Sequence, residues 1–532
     1  MPVDIELVNA RIVDGTGAPW FRGTVGVEGG RIAHVSRETE SETAATETVD
    51  VGGLVVAPGF IDTHSHSDLQ LFADPTLAPK LRQGITTEIL GHDGFSMAPI
   101  HGDDRIEEWK TQVSALTGTV DVEWTWGDIG EYLDAVEENG VAPNVATLVG
   151  HGTVRFNVVG MDDGEPTGSE VEEMRELVAR SLEAGAIGLS CGLIYPPSSY
   201  AGTDELIAVA EQLTPYGRPF VPHIRSEGRW IWDALSEFVE IGSEASVPLH
   251  LTHFKMAGSK QHGKADRGLS IIQAARERGV DITVEQYPYT AASTKLSTVL
   301  PPWVHANPRD ELLETLRDED ARERMRRDIE EWRIEGWENF GALAGWENIV
   351  VTNVPSEANA HLEGMTVAEI ARERGRHPVS AVCDLLVEEE LGVSMLLHLL
   401  AERDVGEILS FEHVNVATDG LFGGTPHPRV YGSFPEVLGR YVRERDLLTL
   451  EEAIRKMTSL PARAMGFETK GIVRPGMDAD LVVFDPDLVE SPSTYEEPKR
   501  RPRGIPHVLV DGEFAVRDGD VVGSTPGDVI RM

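Results

Sequence analysis

Two histidines one residue apart, His64 and His66, directly follow the apolar run Gly53-Leu54-Val55-Val56-Ala57-Pro58-Gly59-Phe60-Ile61. Residues two apart in an extended strand point to the same face, so both imidazoles could turn toward one divalent ion. Alone, a His-x-His pair is as easily an ordinary core or surface feature. It gains weight from the residues that end other apolar runs: His92-Asp93, His151, His223, His253 and Asp419. Imidazole and carboxylate ligate zinc-like ions and carry protons in catalysis. One pocket lined by such groups would be a metal-dependent acid–base site.

The elements that would position them are also legible. Between residues 54 and 420 eight short apolar or β-branched runs alternate with stretches of helical period. The runs are Leu54-Ile61, Ile85-Gly91, Val145-Gly150, Ala186-Ser190, Pro219-Ile224, Pro248-Thr252, Asp281-Glu285 and Val414-Thr418. Glu170-Ala184, Asp204-Leu213, Ile231-Ile241 and Leu269-Arg278 have apolar residues three or four apart and read as helices. Eight strand–helix units predict an α/β chain wound as a (β/α)8 barrel, whose active-site residues sit at the C-terminal ends of the strands. Six of the eight runs end in a ligand or acid–base residue, more consistently than scattered histidines would. The ends of the chain alternate and turn instead like short antiparallel strands. Residues 1–57 and 472–532 are therefore expected to form one small β-sandwich domain around a barrel spanning 58–471. The connection from about 290 to 413 is too long for one βα unit and should hold extra helices or a lid.

Composition narrows the function. The 89 acidic residues against 47 basic ones give a formal charge of -42, which repels nucleic acid and anionic membranes. Only nine of the basic residues are Lys, and acidic stretches such as Glu38 to Glu47, Asp318 to Glu331 and Glu388-Glu389-Glu390 read as solvated surface suited to a high-salt cytoplasm. The opening Met1-Pro2-Val3-Asp4-Ile5-Glu6 has no basic leader, and no apolar run reaches the roughly 20 residues that span a bilayer. A cytoplasmic protein is expected. Cys191 and Cys383 alone build neither a disulfide framework nor a cysteine-rich metal site, so His and carboxylates must hold any metal.

Pro58-Gly59-Phe60-Ile61-Asp62-Thr63-His64-Ser65-His66 resembles the opening of the amidohydrolase superfamily. Later segments resemble its N-acyl-D-amino-acid deacylases, the D-aminoacylases. They are Gly150-His151-Gly152-Thr153-Val154-Arg155, His223-Ile224-Arg225-Ser226-Glu227, Leu251-Thr252-His253-Phe254-Lys255 and Tyr287-Pro288-Tyr289-Thr290-Ala291-Ala292-Ser293-Thr294. Thr418-Asp419-Gly420, the stretch from His427 to Pro435 and the stretch from Gly476 to Asp485 follow in order. The resemblance implies a metal-bearing barrel flanked by a β domain from both termini, and hydrolysis of a linear amide by metal-activated water. The substrate would be a small N-acyl amino acid, and the D preference comes from the resemblance alone.

The same resemblance assigns roles. Asp93, His223 and His253 would hold the tighter ion. His64 and His66, completed by Asp419, would hold a second. Asp419 would be the general base and acid. Lys255, Tyr287 and Arg429, with Ser293 as a lesser addition, would bind the substrate carboxylate. Read from the residues rather than from the resemblance, His151 with Arg155 and Glu227 would orient ligands by hydrogen bonds, and Cys191 would be a small core residue near the fourth strand rather than a nucleophile. This chain departs from the family at Gly91-His92-Asp93-Gly94-Phe95-Ser96, where the deacylases usually carry Cys in the position of Asp93. Carboxylate is harder than thiolate and bridges two ions more readily. Zinc, as one ion or two, suits this ligand set, which also admits manganese, cobalt, nickel or iron.

Two other readings compete. Dihydroorotase-like and hydantoinase-like cyclic-amide hydrolases share the opening motif but usually bridge their metals with a modified Lys on the fourth strand, where this chain has Ala186-Ile187-Gly188-Leu189-Ser190-Cys191. A non-catalytic scaffold should have a broken ligand set, and here every expected position holds a competent residue.

Overall fold

The structure, a computed structural model, describes residues 3–39, 44–117 and 120–532. Met1, Pro2 and residues 40–43 of the acidic stretch Glu38 to Glu47 lie outside them.

The eight barrel strands are β1 (Phe60–Asp62), β2 (Ile85–Leu90), β3 (Asn144–Thr147, resuming after Leu148 as Val149–Gly150), β4 (Leu189–Gly192), β5 (Phe220–His223), β6 (Leu249–Leu251), β7 (Ile282–Gln286) and β8 (Val414–Val416). β1, β2 and the first part of β3 form one parallel ladder; the second part of β3 and β4 to β8 form another. The chain crosses between them at Leu148, whose N–H donates to Leu90 O at 2.9 Å. Across the remaining gap, Ser65 and Gly420 form a parallel bridge and the Asp419 N–H donates to His64 O at 2.9 Å. These links bring the first and eighth strand ends, with His64 and Asp419, to one rim.

Local sequence explains the elements. β2 and β7 are buried along their whole length, which suits the uninterrupted runs Ile85-Thr86-Thr87-Glu88-Ile89-Leu90 and Ile282-Thr283-Val284-Glu285-Gln286 of a parallel sheet covered on both faces. The helix Gly168–Glu183 opens on a capping box between Thr167 and Glu170 and buries Met174, Leu177, Val178 and Leu182, three or four residues apart.

The run Leu54-Ile61 is two strands rather than one. Val55–Pro58 pairs antiparallel with Leu481–Phe484, and only Phe60–Asp62 enters the barrel. Gly59 makes the turn because a Cβ there would lie 2.1 Å from Thr86 Oγ1. The N- and C-terminal strands share one nine-stranded sheet. Along Leu481–Phe484 the faces alternate: Leu481 and Val483 join Leu7, Val25 and Val27, while Val482 and Phe484 pack with Phe60 and Ile85.

The long 290–413 connection contains several helices and also a three-stranded antiparallel sheet of Ala291–Lys295, Ser394–His398 and Ile349–Asn353, which the sequence reading did not foresee. Its hydrophobic core includes Leu312, Met325, Val382 and Met395. Leu397, Leu399 and Phe340 from this segment line the cavity beside the barrel's histidines.

Candidate active site

Asp93 is the centre of the site. It follows β2 on a loop, with φ of 56°, and its carboxylate is shared between two groups of histidines. Oδ1 lies 3.7 Å from His223 Nδ1 and 3.6 Å from His253 Nε2. Oδ2 lies 3.7 Å from His64 Nε2 and 3.6 Å from His66 Nε2. Asp419 Oδ1 completes the second group at 3.6 Å from His64 Nε2 and 3.4 Å from His66 Nε2. Asp419 and His253 also adopt positive φ, 49° and 29°, the kind of backbone strain that folds keep at working sites. Gly192 permits the Asp93 loop to approach, since a Cβ there would lie 2.1 Å from the Asp93 carbonyl oxygen.

These separations are too long for hydrogen bonds. They suit atoms that ligate a common ion, because ligands about 2.1 Å from a tetrahedral metal stand roughly 3.4 Å apart. Among the described residues the buried atoms His64 Nε2, His66 Nε2, His223 Nδ1 and Asp93 Oδ1 have no hydrogen-bond partner, and each such orphan costs about 1–3 kcal/mol unless something binds it. Burial lowers the pKa of His64, but Asp419, Glu285 and Asp93 outweigh it and hold it well above the usual imidazole value. The same negative field attracts a metal cation. The donor set therefore fits one or two hard or borderline divalent ions.

A second layer aims these ligands. Glu285, buried in β7, takes His64 Nδ1 at 2.5 Å, His250 Nε2 at 3.0 Å and the His253 N–H at 3.2 Å. This leaves His64 Nε2 for the site, as a carboxylate behind a ligating histidine does. Sequence reasoning gave Glu285 no role, although an acidic residue near the end of a barrel strand was a usable signal. Glu227 meets His253 Nδ1 at 3.0 Å and also pairs with Lys255. Burial pushes its carboxyl up, but Lys255, His223 and His253 bring it down to about 2. Beneath the rim, buried Lys80 holds Asp62 Oδ2 and Ser65 Oγ at 2.8 Å and Thr418 Oγ1 at 3.0 Å, tying β1 to the end of β8. This lysine was also missed.

Asp419 is buried, yet Arg429, His64 and His66 keep its carboxyl well below the usual carboxylate range against the effect of burial. Arg429 Nη1 stands 2.8 Å from Asp419 Oδ2, and Nη2 donates to Ser293 O at 3.0 Å. Among the described residues Arg429 Nε and Nη1 make no hydrogen bond of good geometry. Lys255, Tyr287 and Ser293 line the cavity that His66, His223 and Asp419 face, and the buried Tyr287 hydroxyl has no partner among the described residues. The Ser293 hydroxyl donates to Met395 O at 2.9 Å. Arg429 is wholly buried behind Asp419.

His151 and Arg155 do not orient the ligands. They occupy the helix His151–Val158 and share Glu205, at 3.0 Å from His151 Nε2 and 3.2 Å from Arg155 Nε. Cys191 is a buried free thiol in the barrel core. His92 lies buried under His64, rings 4.0 Å apart and stacked, with neither nitrogen partnered among the described residues.

Comparison with known proteins agrees with this geometry. The Amidohydrolase family model matches residues 47–516. The chain is 34% identical to a D-aminoacylase of Alcaligenes xylosoxydans xylosoxydans, over 99% of this chain and 98% of that protein. It is also 34% identical to an N-acyl-D-glutamate deacylase of the same organism, over 99% and 96% of the two chains. The crystal structure of N-acyl-D-glutamate deacylase from Bordetella bronchiseptica, complexed with zinc and a phosphonate mimic of the tetrahedral intermediate, superposes with a TM-score of 0.84 at 32% identity, covering all of both chains. The chain belongs to the amidohydrolase family, beside the N-acyl-D-amino-acid deacylases.

Proposed function

We propose that this chain is a metal-dependent hydrolase that cleaves the amide bond of N-acyl-D-amino acids, releasing a carboxylate and a free D-amino acid. The observation that carries this reading is the Asp93 carboxylate shared between His223 with His253 and His64 with His66, with Asp419 beside the second pair. Zinc, as one ion or two, is the cofactor these residues would hold, and other divalent ions suit the same donors. Bound there, it would supply Lewis acidity and lower the pKa of a water toward about 7.

The chain's own groups do the rest. Asp419, kept ionised by Arg429, takes a proton from the attacking water and delivers it to the leaving amide nitrogen. The water oxygen ends on the acyl carbon as the C–N bond breaks. Lys255, Tyr287, Ser293 and Arg429 are the residues we assign to the substrate carboxylate. Their support is position: three line the cavity, and the fourth grips Asp419 and the Ser293 carbonyl. Phe340, Leu397 and Leu399 would close over the bound substrate.

Residues 1–57 and 472–532 are read as one small β unit beside a barrel spanning 58–471. A cytoplasmic location is supported by two buried free thiols; among the described residues no helix is long and apolar enough to cross a membrane. The charge of -42 suits a high-salt cytoplasm. Amine release from N-acetyl D- and L-amino acids, assayed with zinc, manganese and cobalt, tests the function. Release from D substrates that stops on chelation is expected; a zinc-loaded protein that cleaves none of them overturns it.

A further inference from the structure

A separate cavity of about 440 Å³ opens where two loops of the barrel rim meet the long insertion, and it shares no lining residue with the metal-facing one. Arg229 comes from the loop after β5, Lys260 and Lys264 from the loop after β6, and Trp332 and Leu343 from the insertion. Three cations and no carboxylate line it, in a chain with 89 acidic residues against 47 basic ones. Among the described residues none of the three makes an ion pair, and their charged ends make a single hydrogen bond, from Lys264 Nζ to Gln261 Oε1 at 3.2 Å. Two acids that adjoin the cavity are committed elsewhere. Glu331, next to Trp332, is held by Arg333 at 2.6 and 2.8 Å, and Asp404 accepts from the Gly263 and Ala265 N–H groups at 2.7 and 3.2 Å.

The wall also presents an unused donor. Trp332 takes φ of 49°, a strained value for a bulky side chain, and its buried indole N–H has no acceptor among the described residues. The Arg229 guanidinium lies over the Trp332 ring at 5.0 Å and over the Trp230 ring at 5.1 Å, which holds it in place without neutralising it. The Gln261 amide donates to Gly228 O at 2.9 Å and joins the two loops. Cations that converge with a free N–H, and with no carboxylate among them, form an anion site. A diphosphate group carries about three negative charges near pH 7, which the three cations match. The volume falls within the range of about 300 to 1,000 Å³ that small-molecule sites occupy.

We propose that this cavity binds a diphosphate group, free or at the end of a nucleotide, between the barrel rim and the insertion. Arg229, Lys260 and Lys264 neutralise it, and the Trp332 N–H donates to one of its oxygens. The inference goes beyond the deacylase reading and stands without it. The loops it would join lead to the active site: the Ala257 N–H donates to Glu227 O and the Gly258 N–H to Leu399 O, both at 2.9 Å, and Glu227 and Leu399 line the metal-facing cavity.

The test titrates inorganic pyrophosphate and ADP into the zinc-loaded protein, followed by calorimetry and by tryptophan fluorescence, with zinc per chain measured before and after. One site per chain is expected. Tighter binding of ADP assigns the site to a nucleotide end, and equal or tighter binding of pyrophosphate assigns it to the free anion. The double variant Lys260→Glu with Lys264→Glu should bind the preferred ligand at least about 100-fold more weakly, with zinc content and circular dichroism unchanged. Lys260→Gln with Lys264→Gln should weaken it about tenfold, and serves where the charge reversal does not fold. Trp332→Phe should lose most of the emission change that binding causes in the wild type. Absence of saturable binding of either ligand to the wild type, undiminished binding by the double lysine variants, an emission change that persists in full in Trp332→Phe, or a heat signal that reports only the loss of zinc overturns the proposal.

Discussion

Arg429 holds Asp419 by one oxygen, Nη1 to Oδ2 at 2.8 Å, and thereby presents the other, Oδ1, to His64 and His66 at 3.6 and 3.4 Å. One carboxylate is at once anchored, ionised and aimed. The arginine would thus serve the proton carrier as well as the substrate carboxylate.

Replacing Arg429 by Ala should therefore affect more than KM. Asp419 loses its main cation while remaining buried, so its carboxyl titrates at higher pH. The acidic limb of the kcat profile should move to higher pH, and kcat/KM for N-acyl amino acids should fall about 100-fold or more. A rise in KM with an unmoved acidic limb would show that Arg429 acts on the substrate alone.

The shared carboxylate of Asp93 predicts a graded loss of metal. Changing His64 and His66 together to Asn leaves Asp93, His223 and His253, which should retain one ion per chain by elemental analysis. Asp93→Ala touches both groups and should strip the metal from both. Complete loss of metal in the double histidine variant would instead make that pair the principal site.

Glu338 gives a stability signature. Its unfolded carboxyl titrates near about 4.3 and its folded one, raised by burial, at about 8. Between these values the folded chain keeps a proton that the unfolded chain has released, so stability falls as pH rises, by up to about 1.4 kcal/mol per pH unit. Glu338→Gln should flatten this dependence, gaining on the wild type from about pH 5 to pH 8 in urea unfolding. Parallel curves would contradict it.

The rim residues were legible in the sequence because a parallel barrel delivers all its strand ends to one side. His64, His66, Asp93, His253 and Asp419 each stand just past a recognisable apolar run, and His223 closes one. Two strand assignments slipped for physical reasons. Val55–Pro58 carries the same apolar signal as Phe60–Asp62 but pairs with a strand more than 400 residues later. Ala291–Lys295, Ile349–Asn353 and Ser394–His398 pair only across long helical insertions, and no local periodicity announces such a sheet. The support network was hidden in the same way. Lys80 reaches Thr418, and Glu285 reaches His64, through contacts over 200 residues apart in sequence. His151 was misplaced because ending a strand and starting a helix look alike in sequence, and its ring turned toward Glu205.

The central claim is that Asp419 moves the proton beside a metal held without it on Asp93, His223 and His253. Asp419→Asn keeps the size of the side chain and removes its basicity. Amine release from the best N-acyl-D-amino acid should fall about a thousandfold while at least one ion per chain remains bound. Release at the wild-type rate with the metal retained would contradict the account.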